Sequence, residues 1–359
     1  MLVVMVDADH RMNETLDRYH RQMLLPGLGA AAQQRLREAA VMIMGCGALG
    51  TVAADGLARA GVGHLVIVDR DFVELTNLQR QVLFDEEDVA EVMPKAEAAK
   101  RKLARINSQV EVTAIVDDLN ADSFVRHARG ADLLVDGLDN FETRYLANDY
   151  AVREGIPYFY AGAVGTEGMA ATILPGQTPC LHCLFGAPPP PGQGATCDTV
   201  GVLGPAVSII AAFQVAEVIK WIAGAHDRMR RGLLTIDLWD NRLLQLDAAA
   251  APDSECPCCG QRHFDYLEGD AGSSATSLCG RDAVQLRHRQ DGGSLDLRAL
   301  ARRLDAHGPV KVNAFMLRAE LTDRGKPFEL TLFPDGRAII KGSDDASEAR
   351  AVYAKYVGS

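Results

Sequence analysis

Two CxxC pairs, Cys180/Cys183 and Cys256/Cys259, constrain the fold of this 359-residue chain more than any other feature. A CxxC turn lets two thiolates converge on one metal ion. Two such turns supply the four soft ligands of a closed, tetrahedral zinc site. Cys183 and Cys256 stand far apart in the chain, so a shared metal would not close a local finger. It would staple two distant segments of one larger domain. The first pair follows Pro179 and the second an acidic loop, and neither sits in the strand–helix setting of a redox CxxC. Structural zinc is the expected role.

Composition sets the outer limits. Hydrophobic residues make up 48% and charged residues 24%, which describes a soluble globular chain with room for one large domain and a small one. A net charge of −11 argues against nucleic acid as the partner, because phosphate binding needs a basic face. No stretch is expected to reach the ~20 apolar residues of a membrane helix. The apolar run from Met1 to Val6 ends at Asp7, too soon for a signal peptide. Eight cysteines favour metal and thiol chemistry over a disulfide framework. The expectation is a cytoplasmic enzyme.

Val41-Met42-Ile43-Met44 is an unbroken apolar run, suited to a strand buried on both faces. Gly45-Cys46-Gly47-Ala48-Leu49-Gly50 follows, then a small-residue helix over Thr51–Ala60 and a second buried strand that ends at Asp69. Strand, glycine loop, helix, strand and acid is the order of a nucleotide-binding α/β fold. The phosphates face the helix N-terminus and the acid takes ribose hydroxyls. The segment after Asp69 departs from a dehydrogenase. Asp71, Asn77, Arg80 and Gln81 crowd one short stretch, and Lys95 opens a helix after Pro94. Cations beside the glycine loop suit a triphosphate whose α-phosphate is attacked while pyrophosphate leaves. Lys100, Arg101 and Lys102 read instead as a solvated charged face. A further buried strand ends at Asp136 and runs into Gly137-Leu138-Asp139-Asn140. Asp139 is a candidate to hold Mg2+ against the phosphates. Its alternative is to cap the helix that begins near Phe141, a cap Asn140 can equally fill.

Taken in order, Arg18-Tyr19-x-x-Gln22 with Arg21, GxGxxG, Asp69-x-Asp71, Asn77-Leu-Gln-Arg-Gln, Pro94-Lys95, Asp139-Asn140 and the paired CxxC resemble the ThiF/MoeB/HesA adenylyltransferases. These are bacterial relatives of ubiquitin-activating enzymes, and the resemblance runs over about residues 15–267. It implies a Rossmann-like fold with a mixed central sheet. Gly45, Gly47, Gly50, Asp71, Gln81 and Asn140 would line the ATP site. Asp69 would hold the ribose, Asn77, Arg80 and Lys95 the phosphates, and Asp139 the Mg2+. Arg21 would reach the neighbouring subunit's ATP, making a homodimer. The four paired cysteines would hold zinc. The substrate would be the C-terminal Gly-Gly carboxylate of a small ubiquitin-fold sulfur carrier in thiamine or molybdopterin biosynthesis. A cysteine desulfurase or rhodanese-type protein would be the sulfur donor. One position departs from the family: Val92 stands where glycine is usual, three residues before Lys95. That departure bears on how the loop places Lys95.

Gly186 to Cys197 contains Pro188 to Pro191 and has neither helical nor strand periodicity. It reads as a surface loop that delivers Cys197 just before the apolar, helix-forming stretch Val200–Gly224. The resemblance implies that Cys197 attacks the acyl-adenylate or joins a sulfur relay; the plainer reading is an incidental exposed thiol. Cys46 reads as packing and Cys258 as a bystander. The division expected is a lead-in over 1–17, an adenylyltransferase domain over 18–268, a linker over 269–278 and a small α+β domain over 279–359. In the last, a helix over Leu295–Leu304 would be capped by Ser294, strands would span Pro327–Leu332 and Ala338–Lys341, and Ala346–Tyr356 would close the chain. A docking or stabilising appendage is its plain reading, with Cys279 beside Arg281 as a candidate second sulfur-handling thiol. Two other functions compete: an ATP-dependent dehydratase of the same superfamily, and a non-catalytic nucleotide-binding partner. The intact set Arg21, Asp69, Arg80, Lys95 and Asp139 counts against the second.

Overall fold

The computed structural model describes residues 16–188, 200–247, 253–268, 277–278, 283–286 and 295–357, without 324, 335 and 344. The described residues form two compact units.

The first unit is built on β1 (Ala40–Met44), β2 (His64–Val68), β3 (Glu111–Ile115), β4 (Leu133–Asp136), β5 (Tyr158–Val164), β6 (Glu167–Ile173), β7 (Gly232–Asp237) and β8 (Arg242–Asp247). They lie in the order β3-β2-β1-β4-β5-β6-β7-β8. Pairs from β3 through β5 are parallel, and those from β5 to β8 are antiparallel. The mixed sheet expected from the sequence is present. Its order reverses between β1 and β4, so a crevice opens beyond their carboxyl ends, where such sheets take ligands. The unbroken apolar run of β1 is explained by its surroundings, since Val41 to Met44 are all 0% exposed. Met42 and Met44 pack with Leu134, Tyr145 and Tyr150 in one core. A second core joins Leu49, Ala161, Val207 and Ile210.

The helix Gly204–Ala223 corrects one expectation. It is 20 residues long and holds an 18-residue window with a mean hydropathy of 1.7, long and apolar enough to cross a membrane by composition. Yet Val207, Ile210, Ala211 and Val218 are buried in the unit. A core helix covered on one side by a sheet needs the same apolarity. Lys102 is a second correction. It is not part of a solvated face: its ammonium pairs with Asp85, which caps helix Glu86–Ala90, and lies 3.1 Å from the buried Asp88.

The second unit is a six-stranded antiparallel sheet. It comprises β9 (Ser277–Leu278), β10 (Ala283–Leu286), β11 (Val310–Val312), β12 (Leu317–Asp323), β13 (Lys326–Leu332) and β14 (Ala338–Lys341), in the order β11-β12-β13-β14-β10-β9. Helices Leu297–Leu304 and Ala346–Tyr356 place Leu300, Leu304, Val352 and Tyr356 against Leu317, Leu330 and Ile340. The first helix is capped by Asp296, whose carboxylate accepts the Ala299 N–H, and not by Ser294, which lies outside the described residues. Cys279 lies outside them too.

Candidate active site

Three glycines let two loops meet at the switch point. A Cβ on Gly50 would lie 2.0 Å from the Gly45 carbonyl oxygen, and one on Gly137 would lie 2.3 Å from the same atom. Gly45 itself holds φ +83°, a left-handed conformation that glycine adopts without cost. The loop after β1 and the loop after β4 are therefore in backbone contact, and any side chain would part them. Gly47 differs, because a Cβ there meets nothing closer than Gln81 Nε2 at 3.8 Å. It has room for a methyl at ordinary contact distance, and helix Ala48–Ala60 starts beside it with N–H groups directed at that space.

Asp69 ties this loop to the next segment. Its Oδ2 accepts the Cys46 N–H at 2.6 Å and its Oδ1 the Asp71 N–H at 2.7 Å. Burial pushes the Asp69 carboxyl up, and the Lys95 ammonium opposes that shift. Each carboxylate oxygen keeps a second lone pair for a ribose hydroxyl. Cys46 is fully buried and its thiol is pushed up by burial, so it packs and does not react.

Lys95 is brought to the same place by a short bridge between Phe72 and Pro94 and by its own N–H, which donates to the Asp71 carbonyl at 2.9 Å. Its ammonium lies 3.1 Å from Asp71 Oδ2, with the side chain 7% exposed. Val92, the position where the chain departs from the family, adopts φ +50°. A β-branched residue in that region is strained by about 1–2 kcal/mol, yet the loop still delivers Lys95 to Asp71. Asn77 is buried and closes a capping box with Glu74. Gln81 is buried as well, and its Oε1 has no hydrogen-bond partner. An orphaned buried acceptor beside a glycine loop marks a place where a ligand belongs. Arg80 is half-buried and donates to the Thr76 carbonyl at 2.9 Å.

At the end of β4, Asn140 takes the helix cap, accepting the Thr143 N–H at 2.9 Å. Asp139 is thus released from capping and stands exposed at the mouth of the crevice, touched by Asn140 Nδ2 at 3.4 Å. Beneath it is a network that sequence reasoning missed. Asp136 Oδ2 accepts from Arg144 Nε at 3.2 Å and from the Tyr158 hydroxyl at 2.6 Å. Burial pushes the Asp136 carboxyl up, and the adjacent guanidinium counters it. An arginine between Thr143 and Tyr145 gives no sequence signal for this, because its partners come from other elements.

Arg21 stands apart from this group. It is exposed on the short helix His20–Met23. Its neighbours explain the rest of the Arg18–Gln22 motif. Tyr19 is buried against Asn107, and Gln22 donates to Gln33 and to the Ala60 carbonyl. Cys197 lies outside the described residues.

The four paired cysteines converge. All their sulfur atoms lie within 4.8 Å of one another, with contacts of 3.4, 3.6 and 3.9 Å. Tetrahedral zinc with Zn–S bonds of about 2.3 Å places its sulfurs about 3.8 Å apart, so the cluster fits that ion. The donor chemistry agrees. A hydrogen bond from Cys258 holds the Cys180 thiol down to about 4, while burial pushes Cys256 and Cys259 up. Four soft sulfur donors at this spacing suit a zinc-type cation. Asn148, on helix Phe141–Glu154, ties both turns: its Oδ1 accepts the Leu181 N–H at 2.8 Å and its Nδ2 donates to Cys258 Sγ at 3.2 Å.

Together these features define a Rossmann-like nucleotide-binding enzyme with a zinc-type staple. Comparison with known proteins carries the assignment further. The ThiF family matches residues 19–258. A Bacillus subtilis protein named sulfur carrier protein ThiS adenylyltransferase is 44% identical over 342 residues, 95% of this chain and 99% of that protein. A sulfur carrier protein adenylyltransferase of Thermus thermophilus is 39% identical over 252 residues, 69% of this chain and 92% of its own. Among solved structures, E. coli MccB crystallised with ATP aligns at 27% identity and a TM-score of 0.59, over 68% of this chain and 75% of that one. The chain belongs to the ThiF family and is an adenylyltransferase.

Proposed function

We propose that the chain adenylates the C-terminal glycine carboxylate of a small ubiquitin-fold sulfur carrier of the ThiS type, preparing it to receive sulfur. The observation that carries this is Asp139, an acid left free of helix capping at the switch point, in the loop that Gly137 packs against the Gly45 loop. In the reaction a carboxylate oxygen attacks the α-phosphate, and the bond to the β-phosphate breaks with its electrons leaving on pyrophosphate. Gly47 leaves room for the phosphates, and Arg80 and Lys95 offset the charge that builds there. Asp139 would hold Mg2+, which supplies further charge neutralisation. A ThiS-type carrier is favoured because the Bacillus relative, 44% identical over 95% of this chain, is named for ThiS. We assign residues 18–268 to the catalytic domain and 279–359 to an accessory domain.

Two exposed features support protein partners. The edge strand β8 exposes all six of its residues, including Leu243 at 59%, Leu244 at 56% and Leu246 at 55%, with Trp239 at 74% beside it. Among the described residues no further strand pairs with this apolar edge, which suits a partner that adds one. Leu24 and Leu25, next to Arg21, and Ile209, on the core helix, are also exposed. Their coverage by a second copy would carry Arg21 to the partner's site. Downstream, a cysteine desulfurase or rhodanese-type donor would deliver the sulfur, with Cys197 as the proposed nucleophile on this chain.

The test is ATP–pyrophosphate exchange in the presence of a Gly-Gly-ended carrier and Mg2+. Arg80→Ala and Asp139→Ala should each cut exchange by at least ~10²-fold, the scale of one preorganised charge. Exchange that survives both changes sinks the proposal.

A further inference from the structure

One buried cation is given no role by that reading. The Arg144 side chain is 9% exposed and lies over the rings of Phe141, at 5.7 Å, and Tyr160, at 5.3 Å. Besides its bond to Asp136, its Nη2 donates to the Leu138 carbonyl at 2.7 Å and to the Ala161 carbonyl at 3.2 Å. Asp136 Oδ1 accepts the Leu138 N–H at 2.8 Å. Leu138 is therefore gripped at both of its backbone polar groups, the N–H by an acid and the carbonyl by a guanidinium. Gln214 braces the same strand end, donating to the Asp136 carbonyl at 2.9 Å and the Phe159 carbonyl at 2.7 Å.

The gripped carbonyl belongs to the peptide plane that also holds the nitrogen and Cα of Asp139. Fixing the Leu138 oxygen fixes the direction in which Asp139 leaves that plane. Stability alone does not explain the arrangement, since a buried ion pair is often no better than well-packed apolar residues. A lysine would keep the charge, but it cannot bond Asp136, Leu138 and Ala161 from one rigid fork.

We propose that Arg144 is a positioning residue for the reaction: through the Leu138–Asp139 peptide it aims the Asp139 carboxylate into the phosphate crevice. The inference rests on the reading of Asp139 as the acid that holds the nucleotide's metal.

The experiment measures Mn2+ binding to the full chain in the presence of α,β-methylene-ATP by electron paramagnetic resonance, alongside exchange rates and melting. Arg144→Lys should weaken Mn2+ binding about 10–100-fold, the usual cost of losing a group that orients a metal-holding side chain, and lower the exchange kcat. Tyr158→Phe removes a bond to Asp136 without touching Leu138, so it should lower the melting temperature and leave Mn2+ affinity unchanged. Wild-type Mn2+ affinity in Arg144→Lys, or an equal loss in Tyr158→Phe, overturns the proposal. If Arg144→Lys does not fold, Asp136→Asn/Arg144→Met removes both charges and the donor that holds the Leu138 carbonyl; unchanged Mn2+ affinity there overturns it equally. Asp139→Ala separates the two readings. If that variant binds Mn2+ as the wild type does, the role of Asp139 falls. If Asp139→Ala loses Mn2+ and Arg144→Lys does not, only the positioning role falls.

Discussion

Gly47→Ala and Gly137→Ala place the same methyl group in the same crevice, and the structure assigns them opposite consequences. At Gly137 the new carbon would stand 2.3 Å from the Gly45 oxygen and 2.9 Å from the Gly50 Cα. Both are backbone atoms that cannot swing aside, so the loops after β1 and β4 must separate. Overpacking of this kind costs about 1–3 kcal/mol. For a unit of this size each kcal/mol moves the midpoint by about 2–4 °C, so Gly137→Ala should melt about 2–12 °C lower. At Gly47 the nearest atoms are Gln81 Nε2 at 3.8 Å and the Gly137 oxygen at 3.9 Å, ordinary contact distances. The fold should tolerate that methyl, with a melting change under half that of Gly137→Ala.

What Gly47→Ala should lose is ATP. The methyl occupies the space in front of the helix N–H groups, and the loss of even one good phosphate contact, about 1.4 kcal/mol, is a tenfold rise in Kd. Thermal melting without nucleotide and calorimetric titration with ATP read the two effects separately. Wild-type ATP affinity in Gly47→Ala would refute the cradle. An unchanged midpoint in Gly137→Ala would refute the close approach of the loops.

Lys102→Met should cost about 1–3 kcal/mol, less than the 3–5 of a fully buried pair because Asp85 is exposed. The Lys102 hydrogen bond holds the Asp85 carboxyl below its usual value. That stabilisation is present above the unfolded value of about 3.9 and is lost as pH falls through the depressed folded one. The wild-type advantage in urea melts at pH 7 should therefore shrink at pH 3, and a gap that holds in acid contradicts the pairing. Mixing inactive Arg21→Ala and inactive Asp69→Ala subunits should restore about a quarter of wild-type exchange, since random pairing makes about half heterodimers with one intact site each; no recovery after verified subunit exchange places Arg21 in cis.

The sequence showed most where one element carries its own reason. A strand buried on both faces must be apolar throughout, so β1 and its glycine loop were readable. Two CxxC turns announce a metal by spacing alone. It showed least where the reason comes from another element. Nothing near Arg144 in the chain names Asp136, Leu138 or Ala161 as its partners. Lys102 looked solvated because Asp85 and Asp88 reach it from a separate helix. The apolar helix at Gly204–Ala223 was readable, but the roles of its polar residues were not. In the structure Gln214 bonds strand carbonyls, while Glu217 is buried with Lys220 at 2.6 Å.

The zinc-type staple and the nucleotide site share one helix, and that joins their fates. Asn140 caps Phe141–Glu154 at the crevice, and Asn148 meets the cysteine turns about 12 Å further along, at a rise of about 1.5 Å per residue. Arg144 and Asn148 lie one turn apart on the same buried face. Asp149 adds a third tie, accepting the Tyr266 N–H at 3.0 Å. A metal bound by the four cysteines would therefore hold the far half of the helix whose near half aims Asp139. Cys256→Ser should lower zinc content and the melting temperature together, because metal bound only by the native state adds to its stability. It should also weaken Mn2+ binding with α,β-methylene-ATP while the helix still forms. Unchanged zinc by metal analysis would contradict the ligand set. Zinc loss with intact nucleotide-metal affinity would show that the two ends of the helix are not coupled.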